Sequence, residues 1–357
     1  MSKSSTKETT MMYALQTMEF GKAQDVLQYN QVPKPKIKQS QPTDVLIQVK
    51  AAGVNPVEAK FRMGNVPTSS IIIKTPAIFG TDYAGIVVDK GDKVTDIEIG
   101  DEVYGSLWTP WGPNGTYAEY IIAKQGYDSI VKKPENISFE EAAATGIAAT
   151  TAYQGIIVDG RLPTSGPKKI LVIGASGGVG SYGVQIAKLS GAEVVGICSG
   201  RNANFVRSLG ADRIVDYTVD GSIDTLAKEE KGTFDLILDC IGGDYYYNKL
   251  IYILKKRGVY SSTVGPEEHV GANRVDIYSG ANMAFKTLSH KLFGPRNYSL
   301  VLKYPWLRFA NDLRPFLANG SVKSIVLHEN IVDLKNGADA HLKIESQRTI
   351  GKIVLRI

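Results

Sequence analysis

Two cysteines and four histidines in 357 residues leave little material for disulfides or for a metal site. Cys198 and Cys240 both fall in or at the end of expected buried strands, which argues against a disulfide framework and fits a reducing compartment. His269, His290, His328 and His341 come late, at irregular spacing, and form no ligand motif. No apolar run approaches the roughly 20 residues that a membrane-spanning helix needs. The polar start, Met1 to Thr10, lacks both the apolar core of a secretory signal and the arginines of a mitochondrial presequence. The cytoplasm is therefore the expected location, with peripheral-membrane, lipid-droplet or mitochondrial association left open. A balance of 41 basic against 36 acidic residues gives a formal charge of only +5, without a dense basic block, so a sequence-specific nucleic-acid partner is not expected. Internal repeats and low-complexity tracts are also missing.

What is present is a run from Lys169 to Gly180, KILVIGASGGVG, that reads as a buried strand turning sharply into a helix. Ile170 to Ile173 are apolar without alternation, as in a central parallel strand, and Ser181 to Leu189 continue with helical spacing until Gly191. The turn carries Ala175, Gly177 and Gly180 at A-x-G-x-x-G spacing, with Ser176, Gly178 and Val179 between them. Such a turn holds a dinucleotide pyrophosphate on backbone N–H groups at a helix N-terminus. A plain glycine-rich turn is the competing reading, and the legible strand and helix on either side argue against it.

The next strand, Glu193 to Cys198, ends in Ser199-Gly200-Arg201, where an NAD site normally places an acidic residue for the ribose. A hydroxyl and a guanidinium suit the 2′-phosphate of NADPH, which a carboxylate would repel. NADPH is thus the expected cofactor, unless Arg201 is simply a solvated helix-start residue. A third strand, Arg213 to Tyr217, ends in Tyr217, a candidate neighbour of the adenosine phosphate.

The first part of the chain reads as β-rich, with a strand at Val45 to Ala52, a glycine turn leading into another over Phe79 to Val88, and a turn-then-strand at Ile99 to Gly105. A helix is expected from Glu140 to Ile156. The order of Gly53-Val-Asn-Pro-Val-Glu-Ala-Lys60, Phe79-Gly-Thr-Asp-Tyr-Ala-Gly85, Ile99 to Gly105, Gly115-Thr-Tyr-Ala-Glu-Tyr120, Thr150-Thr-Ala-Tyr153, the Ala175 to Gly180 turn, Leu209-Gly-Ala-Asp212 and Gly351-Lys-Ile-Val354 resembles the medium-chain dehydrogenase/reductase superfamily. Within it the chain resembles the zinc-free quinone oxidoreductase branch, especially the reticulon-interacting and the plant alkenal or chloroplast-envelope reductase types. The resemblance implies an α/β fold, with a Rossmann doubly wound parallel sheet over residues 151–300. It also implies a β-rich GroES-like catalytic domain over 1–150, completed by 301–357, and a homodimer.

Zinc relatives place Cys where this chain has Asn55 and His-Glu where it has Thr81-Asp82, so no metal is expected. Without a Lewis acid, simple alcohol oxidation is hard to explain. A quinone or an α,β-unsaturated carbonyl needs less activation, because conjugation leaves the charge from the hydride on an oxygen that a few hydrogen-bond donors can stabilise. By resemblance Asn55 and Lys60 line the cleft beneath the nicotinamide, and some zinc-free relatives carry tyrosine at the position of Lys60. They are the expected catalytic and substrate-binding residues; the plainer reading has Lys60 snorkelling to the surface or pairing with Asp82 or Glu58. Tyr83 and the Trp108–Trp111 stretch are candidate aromatic contacts for a planar substrate, or ordinary packing.

Thr151 joins the cofactor set by resemblance. Gly242 and Val264, each just past a further strand, are the expected cofactor contacts at the strand tips. Where many relatives have arginine before the terminal Gly-Lys, this chain has Ile350. The aromatic segment from about Gly271 to Trp306 is equally compatible with a dimer edge, a lid or a lipid-facing patch. Helices are expected at Trp306 to Leu317 and Asn330 to Glu345, and a closing strand at Gly351 to Ile357. The resulting expectation is an NADPH-dependent reductase of quinones or enones. The alternative is a non-catalytic NADPH-binding sensor or interaction protein.

Overall fold

The computed structural model describes residues 10–65, 69–109, 111–112, 115–162, 166–266, 277–301 and 307–357. Six parallel strands form one sheet in the order Arg213–Asp216, Ala192–Cys198, Lys168–Ile173, Phe234–Asp239, Leu254–Ser262 and Asn297–Leu300. This is the doubly wound order, with its reversal beside Lys168–Ile173. The unbroken apolar run has a plain cause. Ile170 and Val172 pack into the core on one face and Leu171 and Ile173 into the core on the other, all fully buried.

A second, mostly antiparallel sheet is built around the long strand Asp44–Val54, which pairs with Asp82–Lys90, Tyr120–Lys124 and the closing strand Ile353–Arg356. The chain's end thus returns to the first part. A smaller sheet joins Met11–Thr17, Leu27–Pro33, Ala77–Phe79 and Trp111–Gly112. Its first pair, an antiparallel ladder from Met11 to Pro33, has no counterpart in the sequence reading.

Two expected helices differ from the structure. The stretch from Glu140 to Ile156 is broken into Phe139–Ala143, Gly146–Tyr153 and a π-turn at Gln154–Val158. The break is where the Asp82 carboxylate enters, accepting from the Ile147 N–H at 2.9 Å, so close that a Cβ on Gly146 would lie 2.2 Å from its oxygen. The helix expected from Asn330 starts only at Gly337. Ile331–Asp333 instead forms a strand paired in parallel with Val354 to Arg356, as its β-branched residues favour. Over Phe79 to Val88 the expected glycine turn stands at Gly80, whose φ of +107° suits glycine alone, and it leads into the strand Asp82–Lys90. Pro163, Trp306 and all of 267–276 lie outside the described residues.

Candidate active site

The dinucleotide turn is held from behind by the next strand, since the N–H groups of Gly174 and Ala175 both donate to the Ile197 carbonyl, at 3.1 and 3.0 Å. Gly177 then caps the helix Gly178–Leu189, leaving its first N–H groups without helical partners. A Cβ on Gly177 would meet nothing nearer than 3.4 Å, whereas one on Gly180 would lie 2.1 Å from the Gly174 carbonyl oxygen. The first glycine leaves an open cradle; the second allows helix and strand to touch. Val54, Asn55, Gly177, Gly178, Val179, Gly180, Cys240, Ile241, Gly351 and Lys352 line one cleft, which spans the turn and the strand leading into Asn55.

At the far end, Ser199 is nearly buried and precedes a short 3-10 turn containing Arg201. Arg201 is exposed and engages none of the described residues. Tyr217 is half-exposed. Asp216, which the sequence reading passed over, accepts from the Thr218 N–H and hydroxyl at 2.9 and 2.7 Å and from the Gly200 N–H, and these bonds hold its carboxyl below the usual range. It braces the turn from the neighbouring strand. Asn202 Nδ2 donates to Ser176 Oγ at 3.1 Å, which ties this turn to the dinucleotide turn. Gly242 and Val264 meet one another, for a Cβ on Gly242 would lie 2.6 Å from that of Val264. Thr151 is half-buried in the helix Gly146–Tyr153.

Beneath the cleft lies a buried polar cluster. Asn55 precedes the helix Pro56–Arg62, and the Glu58 carboxylate reaches back to accept its backbone N–H at 2.5 Å, as in a capping box. Asn55 Nδ2 donates to Glu58 Oε1 at 3.1 Å and to Asp82 Oδ2 at 3.0 Å, while its Oδ1 accepts from Lys352 Nζ. An amide nitrogen has two hydrogens, so both are taken. Glu58 also accepts from the Thr81 hydroxyl at 2.5 Å, and Asp82 from the Ser106 hydroxyl at 2.7 Å. Lys352 Nζ donates to the Val54 carbonyl at 3.0 Å and lies 3.9 Å from Asp82. Burial, and then the Asp82 charge, push the Glu58 carboxyl up to about 7. Burial draws the Lys352 ammonium down, against the pull of Asp82 and Glu58.

The candidates fall unevenly around this cluster. Lys60 sits near the end of the Asn55 helix, partly buried, and burial lowers its ammonium below the ordinary range. It pairs with neither Glu58, which binds Asn55 and Thr81, nor Asp82, whose cationic neighbour is Lys352. Nor is it among the residues lining the cleft at Asn55. Tyr83 requires a correction: it is fully buried in an apolar core, with its hydroxyl donating to the Ser129 carbonyl at 2.9 Å, so no substrate reaches it. Trp111 packs on Phe61 and Trp108 near Tyr127. Lys352 and Glu58 were missed as site residues. The signal for Lys352 was the terminal Gly-Lys, and that for Glu58 its three-residue spacing from Asn55.

A zinc ion does not fit here. The positions that carry ligands in zinc relatives hold an amide with both hydrogens committed and a hydroxyl donating to Glu58, and an ammonium stands beside Asp82. A dinucleotide does fit, in the open cradle at Gly177.

Residues 209–355 match the family model described as zinc-binding dehydrogenase, and residues 41–135 that described as alcohol dehydrogenase GroES-like domain. The chain is 32% identical over 355 residues to a chloroplastic quinone-oxidoreductase homolog of Spinacia oleracea, covering 97% of this chain and 98% of that protein. It is 32% identical over 327 residues to the chloroplastic NADPH-dependent alkenal/one oxidoreductase of Arabidopsis thaliana, covering 90% and 73%. A mitochondrial NAD(P)H oxidoreductase of Mus musculus is 29% identical over 340 residues, covering 88% and 82%. Among solved structures, the quinone oxidoreductase from Coxiella burnetii superposes with a TM-score of 0.77 at 27% identity, covering 97% and 99%.

Proposed function

We propose that this chain, which belongs to the zinc-free quinone oxidoreductase branch of the medium-chain dehydrogenase/reductase family, reduces quinones or α,β-unsaturated carbonyls with NADPH. The observation that carries this reading is the open glycine cradle sharing one cleft with Asn55 above a buried polar cluster unsuited to zinc. Ala175 to Gly180 would hold the pyrophosphate, Ser199, Arg201 and Tyr217 the 2′-phosphate end, and Thr151, Gly242 and Val264 the neighbouring cofactor surface. When bound, the reduced nicotinamide supplies the hydride.

The chain's own task is alignment and charge control. Asn55 has no amide hydrogen left for a substrate, which makes it an orienting group whose carbonyl side faces Lys352. Lys60 is proposed as the substrate-side donor, supported by its lack of a partner among the described residues and by burial that eases loss of its proton. A homodimer is proposed by resemblance to the family. No described helix is long and apolar enough to cross a membrane, and the relatives above include mitochondrial and chloroplastic proteins.

The test is NADPH oxidation against a panel of quinones, enones and alkenals, with Lys60→Met beside the wild type. Turnover with at least one class is expected, with hydride transfer in the variant slowed by roughly 10²–10³, as for loss of one oxyanion donor. Tight NADPH binding with no turnover on any member would favour a binding protein instead.

A further inference from the structure

Lys352 is a lysine with 4% of its surface exposed, an arrangement that is costly unless the charge is matched. Its ammonium is matched on two sides, by the carbonyl oxygens of Val54 and Asn55, with the Asp82 carboxylate at 3.9 Å as counter-charge. Its backbone is fixed as firmly. The Gly351 N–H donates to the Ser176 carbonyl in the dinucleotide turn at 2.9 Å, and the Lys352 N–H to the Ile325 carbonyl at 2.8 Å. The strand that follows runs antiparallel to Ala51–Val54, which leads directly into Asn55. On its way down the stem passes Gly178, where a Cβ would lie 2.9 Å from Lys352 Cδ. The side chain therefore bridges the dinucleotide turn and the helix that starts at Asn55.

Resting on the functional reading above, we propose that Lys352 is a positioning residue for hydride transfer, its ammonium fixing the Asn55 amide and balancing the carboxylates of Asp82 and Glu58 beneath the cleft. Hydrogen-bond sense fixes the orientation of the amide. An ammonium has only donors and the two carboxylates offer acceptors, so the amide oxygen must face Lys352 and its nitrogen must face Glu58 and Asp82. Without the ammonium the oxygen loses its donor. The ammonium's charge bears differently on the cofactor's two redox forms. Deleting the ammonium makes the floor of the cleft one unit more negative, and that favours the positively charged oxidised nicotinamide over the neutral reduced one. A purely structural defect would weaken both forms alike.

The experiment measures dissociation constants of NADPH and NADP+ for the full chain as wild type, Lys352→Met and Lys352→Arg, alongside single-turnover hydride transfer. In Lys352→Met the affinity ratio should move toward NADP+ by on the order of tenfold, and hydride transfer should slow by at least a similar factor. Lys352→Arg, which keeps the charge, should restore the ratio to near the wild-type value. Lys352→Gln carries the same expectation as the methionine variant where that one does not fold. An unchanged ratio, or equal weakening of both forms, overturns the assignment. Failure of both uncharged variants to fold while Lys352→Arg folds would make Lys352 structural and overturn it as well. A wild-type chain that binds neither dinucleotide would instead remove the functional reading on which the assignment rests.

Discussion

Glu58 and Arg201 show how far single side chains decide the behaviour of this site. Glu58 is held at about 7 against an ordinary value of 4.5, so between these the folded chain keeps a proton that the unfolded chain has lost. Its favourable contribution is whole below about pH 4.5 and fades as pH rises through about 7, a change on the order of 3 kcal/mol. Glu58→Gln should flatten the fall in stability across that window, measured by denaturant unfolding at several pH values; a slope equal to wild type would show that Glu58 is already ionised throughout. Arg201 is proposed to act on the cofactor alone. Exposed and unpaired among the described residues, it is available to a 2′-phosphate, and Arg201→Ala should weaken NADPH by roughly ten- to a hundredfold while leaving NADH nearly unaffected. Equal loss for both dinucleotides, read by fluorescence titration, would remove Arg201 from the phosphate site.

At the scale of elements, the helix Pro56–Arg62 carries the site at one end and an anchor at the other. Arg62 is completely buried and donates to the Gly21 carbonyl, to Glu345 and, at 3.4 Å, to His341 Nδ1. It pins the helix to the late helix Gly337–Glu345, and burial and its own charge draw the His341 imidazole down to about 3, keeping it neutral. Arg62→Met should cost on the order of 3 kcal/mol, because Glu345 and His341 lose their partner, while leaving NADPH affinity within a few-fold. Affinity falling in step with stability would mean that the anchor also shapes the cleft. Nothing in sequence spacing announces such a contact, for its partners lie 41, 279 and 283 residues away. Local signals read well by contrast. The strand Lys168–Ile173, the turn and the helix after it stand where apolar pattern and glycines place them. The helix break at Ala144–Thr145 did not, because a carboxylate from a distant strand imposes it. Tyr83 misled because the strand Asp82–Lys90 begins beside the cluster: Asp82 reaches into it, and Tyr83, next in the strand, turns to the opposite face and enters an apolar core.

The whole molecule joins two sheets through its own C-terminal strand, so the residues that meet at the cleft come from both ends of the chain. Asn55 and Asp82 arrive early, the dinucleotide turn in the middle, and Lys352 five residues before the end. That closure is legible only through resemblance to a family, since composition and periodicity do not say which strand the tail joins. It also explains how chemistry usually given to a metal can be run without one. The site's fixed cation is a lysine delivered by the tail, and its electrostatics are set by the fold rather than by a dissociable ion. The direct test is single-turnover NADPH oxidation by an accepted quinone or enone after exhaustive chelation, with zinc content determined on the same sample. The predicted result is an undiminished rate with far less than one zinc per chain; a rate abolished by chelation and restored by added zinc would contradict the account.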